Sequence, residues 1–218
     1  MARRVSPVIR VQQLTLIAAV VHAVTISRVT VESLDAPLGI STLAPAFAWV
    51  IAAPGQRNVT QTAYEIVVSS TVTGAADIWD SGRVESGQSV AVLYDGPALA
   101  PAQAYFVAIR AWLSGAIDPT PYSTAVRFVT GLQSAADWDS ASTFIGLGVG
   151  GNNSCPWLRT SFTLSSEQLA SIQSGASTAM LHVAAVGYFA AFVNGARLGD
   201  GGEPEALQRA TCTVAVLC

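Results

Sequence analysis

Apolar and polar residues alternate with a period of two through most of this chain, and Gly, Pro or Asp interrupts the alternation at short intervals. Phe47, Trp49 and Ile51 fall on one side of an extended segment, as do Tyr64, Ile66 and Val68, and again Tyr105, Val107, Ile109 and Ala111. Successive side chains of a strand point to opposite faces, so each set covers one side of a sheet. The pattern predicts strands over 26–32, 46–52, 63–69, 78–81, 89–94, 104–113 and 124–130. Seven short strands in about a hundred residues fit a β-sandwich.

Residues 132–155 form a polar, Ala-, Ser- and Gly-rich connection that carries Asp137-Trp138-Asp139. A second unit begins near Pro156. It is predicted to have a strand over 158–164, with Leu158, Thr160, Phe162 and Leu164 on one face. Ser165-Ser166-Glu167 reads as a helix start, giving one or two turns through Ile172 and ending by Gly175. Strands over 178–185 and 210–217 complete the reading.

The plainest local signal lies between those two strands. Asn194-Gly195 is a preferred type I′ hairpin turn, because both positions need φ > 0 and these residues tolerate it. The turn sets Val193 opposite Ala196, Phe192 opposite Arg197 and Ala191 opposite Leu198. Phe189, Ala191, Val193, Ala196 and Leu198 then make an apolar face. Tyr188, Ala190, Phe192 and Arg197 make a mixed one, with Arg197 able to lie over the Phe192 ring. The expected fold is all-β, with two β-sandwiches in tandem over 26–131 and 156–218, the second one truncated.

Composition adds three restrictions. Charged residues are 11% of the 218 and hydrophobic ones 51%, which excludes a disordered chain. The basic residues are all Arg and are scattered singly, and net charge is −3, so no nucleic-acid surface is expected. Arg3, Arg4 and Arg10, the apolar run from Leu14 to Val21 and Val21-His22-Ala23 have the layout of a secretory signal over 1–23. The run is too short to span a bilayer, and no membrane span is expected in the mature chain. Export fits the sequons at Asn58 and Asn152. It also frames the three cysteines, Cys155, Cys212 and Cys218, of which Cys155 and Cys212 are the candidate disulfide.

No catalytic constellation assembles. His22 lies in the signal segment, and His182 alternates with apolar neighbours as a structural residue would. No Gly-x-Ser-x-Gly elbow is present. The acidic pairs Asp77/Asp80, Asp137/Asp139 and Glu203/Glu205 sit in turns or linkers, whereas glycoside hydrolysis needs two carboxyl groups held across a cleft. Without Cys-x-x-Cys or a phosphate loop, no metal or cofactor is expected. Sugar binding is the chemistry the residue types fit best. Trp157 and Tyr188 offer aromatic faces for a pyranose ring, and Asn194, Arg197 and Asp200 offer polar groups for its hydroxyls.

Leu99-x-Pro101-x-x-x-Tyr105 with the alternating strand behind it resembles the tyrosine corner of fibronectin type III domains, where the hydroxyl bonds back to the preceding loop. On that reading Trp49, Tyr105 and Trp112 are core residues. A longer series of motifs is similar to the N-terminal part of bacterial-type α-L-rhamnosidases, glycoside hydrolase family 78. It runs from Pro37-Leu38-Gly39-Ile40 and Pro45-x-Phe47-x-Trp49 through Gln61-x-Ala63-Tyr64-x-Ile66-x-Val68 and Trp79-Asp80-Ser81-Gly82. It continues with Tyr94-x-Gly96-x-x-Leu99, Arg110-x-Trp112, Phe128-x-Thr130-Gly131-Leu132 and Leu158-Arg159-x-x-Phe162, and ends on Gly187-Tyr188…Asn194-Gly195…Gly199-Asp200.

The resemblance implies a fibronectin-like module followed by a jelly-roll-like accessory domain linked to carbohydrate. It also implies a catalytic α-helical barrel in cis, which hydrolyses terminal α-L-rhamnosides with inversion and is absent here. The expected partner is a rhamnose-containing glycan, and this chain alone is expected to be inactive. After Asp200 the residues depart from the family pattern, as a truncated or frame-shifted reading would produce. A stand-alone secreted glycan-binding or adhesion module is the alternative.

Overall fold

The computed structural model describes residues 23–72, 75–143, 145, 157–174, 179–185 and 189–198, and the backbone of 211–217. The chain divides into two compact units, Met1–Gln133 and Ser134–Cys218.

In the first unit the alternating segments form β1 (Thr25–Val31), β2 (Leu38–Ile40), β3 (Ala46–Ala52), β4 (Gln61–Ser69), β5 (Trp79–Asp80), β6 (Val92–Leu93), β7 (Ala104–Leu113) and β8 (Val126–Thr130). They make a three-stranded sheet, β1-β3-β6, and a five-stranded sheet, β2-β8-β7-β4-β5. Apart from a short parallel pair, β2 with β8, all pairings are antiparallel. The inward residues of both sheets meet in one core. Phe47 from β3 and Phe128 from β8 are fully buried and pack edge to face at 6.1 Å. Burying such a ring stabilises by about 1.5–3 kcal/mol.

Trp49 lies in this core, and its indole N–H donates to Gln61 Oε1 at 2.9 Å. The Gln61 amide in turn donates to the carbonyls of Ser86 and Gln88. A buried donor is thereby satisfied, and the loop after β5 is tied to β4. Tyr105 closes the corner as expected, its hydroxyl accepting the Ala100 N–H at 2.9 Å.

Three expectations change. Trp112 is not a core residue. Its neighbour Ala111 points inward, so the alternation sends Trp112 to the outer face, where Arg83 and Arg110 lie over its ring at 4.8 and 5.2 Å. The strand expected over 89–94 shrinks to β6, because Ala91 adopts φ +52° and turns the chain off the ladder. The strand β2 was not anticipated: three residues with Gly39 at φ +80° carry too little alternation to register.

The described part of the second unit is one four-stranded antiparallel sheet and one helix. Its strands are β9 (Trp157–Thr163), β10 (Ala190–Val193), β11 (Ala196–Arg197) and β12 (Thr211–Leu217), in the order β11-β10-β12-β9. Helix α1 (Ser166–Gln173) starts on a capping box, with Ser165 Oγ accepting the Gln168 N–H and Gln168 Oε1 accepting the Ser165 N–H. A strand was expected over 178–185, but the described residues 179–185 belong to none. Alternation fits an extended segment, yet a strand also needs a neighbour's backbone. The place between β9 and β10 is taken by β12, which pairs with both.

Candidate functional site

The Asn-Gly hairpin folds as its turn chemistry requires. Asn194 and Gly195 have φ +49° and +87°, and the register sets Phe192 opposite Arg197 and Val193 opposite Ala196. Leu198 N–H donates to the Ala191 carbonyl at 2.8 Å. Ala191 and Val193 are buried, so this face of the hairpin is the covered one.

The other face brings together two of the candidate sugar-binding residues. Register through β12 places Trp157, Arg159, Ala190, Phe192 and Arg197 on the same side of the sheet. Trp157 packs on Phe192 with ring centroids 5.4 Å apart and planes tilted by 34°, yet stays 62% exposed. The result is an exposed aromatic pair with Arg159 and Arg197 projecting from the same side of the sheet. Such a surface can stack the C–H face of a sugar and donate hydrogen bonds to its hydroxyls. Arg159 was not among the candidates; its place emerges only from the β9–β12 register.

Asn194 is explained by its turn. Tyr188 and Asp200 lie outside the described residues, as do Asn152, Cys155 and the side chain of Cys212. Asn58 is exposed at φ +57° in the loop before β4, where Asn is favoured for its backbone alone. His182 is half-buried.

The acidic pairs resolve into turn chemistry wherever they are described. Asp77 accepts from the Ser70 N–H and hydroxyl, and these hydrogen bonds hold its pKa below the usual carboxylate range. Asp80 accepts from Gly82 N–H, Asp137 from Ser134 N–H and Asp139 from Ala141 N–H. The conspicuous buried carboxylate is a different one, Glu65 on β4. Arg110 on β7 grips it with two nitrogens, the closest contact being 2.7 Å, and the Tyr122 hydroxyl donates to it. Burial and this bond push the Tyr122 phenol pKa well up. A carboxylate so fully engaged is a structural clasp and not a free general base. Glu65 and Arg110 are direct cross-strand partners, 45 residues apart in sequence, so periodicity alone could not join them.

Sheet order, tyrosine corner and buried Trp49 define the first unit as an immunoglobulin-like domain. A family described as Rha78A-like, N-terminal immunoglobulin domain, matches residues 26–134, and the chain belongs to that family. An α-L-rhamnosidase of Streptomyces avermitilis is 36% identical over 122 residues, covering 54% of this chain and 12% of the relative. One from Formosa agariphila is 27% identical over 191 residues, covering 79% and 20%. The structure of the Dictyoglumus thermophilum α-L-rhamnosidase shares the fold over 88% of this chain and 24% of that one, with a TM-score of 0.63 at 22% identity. The chain thus spans between an eighth and a fifth of the length of these curated relatives, 12% and 20%.

Proposed function

We propose that this chain is the N-terminal, non-catalytic part of an exported α-L-rhamnosidase. Its immunoglobulin-like domain and following sheet would act as accessory modules to a catalytic barrel in cis. The observation that carries this reading is the similarity, over the first unit, to proteins described as α-L-rhamnosidases. The reaction, hydrolysis of terminal α-L-rhamnosides, belongs to the parent enzyme. Sequencing genomic DNA and transcript downstream of codon 200 in all frames tests it. A helical-barrel coding sequence is expected there, and its absence would defeat the reading.

The exposed Trp157 on the Phe192 ring, with Arg197 on the same face, favours a second role as a glycan-binding module. Calorimetry with L-rhamnose should show weak binding that Trp157→Ala abolishes. A folded chain that binds no sugar through that face would exclude it.

A further inference from the structure

The two sheets of the first unit end, on one side, in their shortest strands, β5 and β6. Between them lies a cleft of about 470 Å³, within the range of about 300–1,000 Å³ typical of small-molecule sites. Trp79 forms a half-buried aromatic wall and Val92 an apolar patch, while Asp80, Gln88 and Asp95 stand at its exposed rim. Trp79-Asp80-Ser81 and Asp95, the middle residue of Tyr94-x-Gly96, thus border one cavity.

The residue that points to a ligand is Tyr64. It is only 8% exposed and lines the cleft, yet its hydroxyl has no hydrogen-bond partner among the described residues. The other two buried tyrosines behave differently: Tyr94 donates to the Pro97 carbonyl and Tyr105 accepts from Ala100. Its ring is buried, but the hydroxyl is not among the buried unpaired polar atoms of the described residues, so it stays reachable from solvent as an accessible donor and acceptor.

The lining also restricts the ligand's chemistry. It contains no cationic side chain and has two carboxylates, so phosphate, sulfate and acidic sugars are repelled. A neutral ring rich in hydroxyls fits: its O–H groups donate to Asp95 and bond with Tyr64, and its C–H face lies on Trp79.

We propose that the β5–β6 cleft binds a neutral pyranose, with Tyr64 at its floor and Asp95 at its rim. The site is separate from the Trp157 face and does not depend on the rhamnosidase reading. The test is a ¹H–¹⁵N NMR titration of the whole chain with L-rhamnose, with D-glucose and, as a cationic probe, with tetramethylammonium chloride. Saturable shifts at Tyr64, the Trp79 indole and Asp95 are expected with a sugar. Tyr64→Phe, which removes one oxygen from a retained ring, and Asp95→Asn should each weaken binding by about three- to tenfold. Circular dichroism should show both variants folded. No saturable shift at the cleft, shifts confined to Trp157, unchanged affinity in both variants, or a response to the ammonium ion alone would each overturn the proposal.

Discussion

The hydroxyl of Tyr105 accepts the backbone N–H of Ala100 at 2.9 Å, closing the loop that leads into β7 onto that strand's own first turn of side chains. Tyr105 is buried, and its ring lies 5.7 Å from that of Phe128. The acceptor therefore sits on a buried ring, while Ala100 itself is exposed and the bond is part-buried. Tyr105→Phe keeps the ring and leaves that donor unpaired. We expect a loss of about 1–2 kcal/mol in urea unfolding of the first unit, with an unchanged m-value. A loss under a few tenths of a kcal/mol would mean that the corner is dispensable.

The clasp of Arg110, Glu65 and Tyr122 makes a larger contribution. Glu65 is 7% exposed, and removing its carboxylate leaves Arg110 and the Tyr122 hydroxyl without their acceptor. Breaking a buried pair costs about 3–5 kcal/mol, and the partial exposure of Arg110 lowers this to about 2–3 kcal/mol for Glu65→Ala. Tyr122→Phe should cost less, about 1 kcal/mol, because Arg110 still satisfies the carboxylate.

The same cluster sets a pH dependence. Tyr122 has its pKa raised by burial and by its bond to Glu65, and Tyr64 and Tyr94 are raised by burial. A phenol held more tightly in its protonated form by folding adds stability that is whole below its unfolded pKa of about 10 and is lost as pH climbs toward the folded value. Thermal melts should therefore fall in Tm above about pH 10, and less steeply in Tyr122→Phe than in the parent chain. Equal slopes would show that Tyr122 has an ordinary pKa.

What the sequence made legible was local. Asn194-Gly195 specified its turn, alternation specified the strands of the first core, and Leu99-x-Pro101-x-x-x-Tyr105 specified a hydrogen bond five residues back. The features that escaped depend on register between distant strands. Glu65 meets Arg110, and Arg159 joins Trp157 and Arg197 on one face, only after the sheets are paired. The segment 179–185 has a strand-like pattern but pairs with no strand, and alternation alone does not supply a backbone partner.

Two glycines resist substitution for different reasons. A Cβ on Gly96 would sit 2.5 Å from Tyr94 Oη and 2.6 Å from Trp79 Cγ, so the rings must move. Gly96→Ala should cost about 1–3 kcal/mol through overpacking. A Cβ on Gly195 meets nothing within 4 Å, but φ +87° is strained for any L side chain. Gly195→Ala should cost about 1 kcal/mol, confined to the second unit. Hydrogen exchange resolves the two: faster exchange near β5 and β6 for the first variant, and along β10 and β11 for the second.

Arg127 on β8 is the unusual cation of the first unit. Its Nη2 is buried without a hydrogen-bond partner, and burial pushes its pKa down. An unpaired donor held away from water opposes folding, whereas the aliphatic stem of an Arg can be buried without that cost. Methionine reproduces that stem without the charge. Arg127→Met should therefore raise the stability of this chain by about 1 kcal/mol, against the usual direction for a substitution on a sheet. A chemical denaturation midpoint that rises at constant m-value is the expected result. A midpoint that falls would mean that the guanidinium has a partner in solution, and the same variant placed in a longer rhamnosidase chain would then locate it.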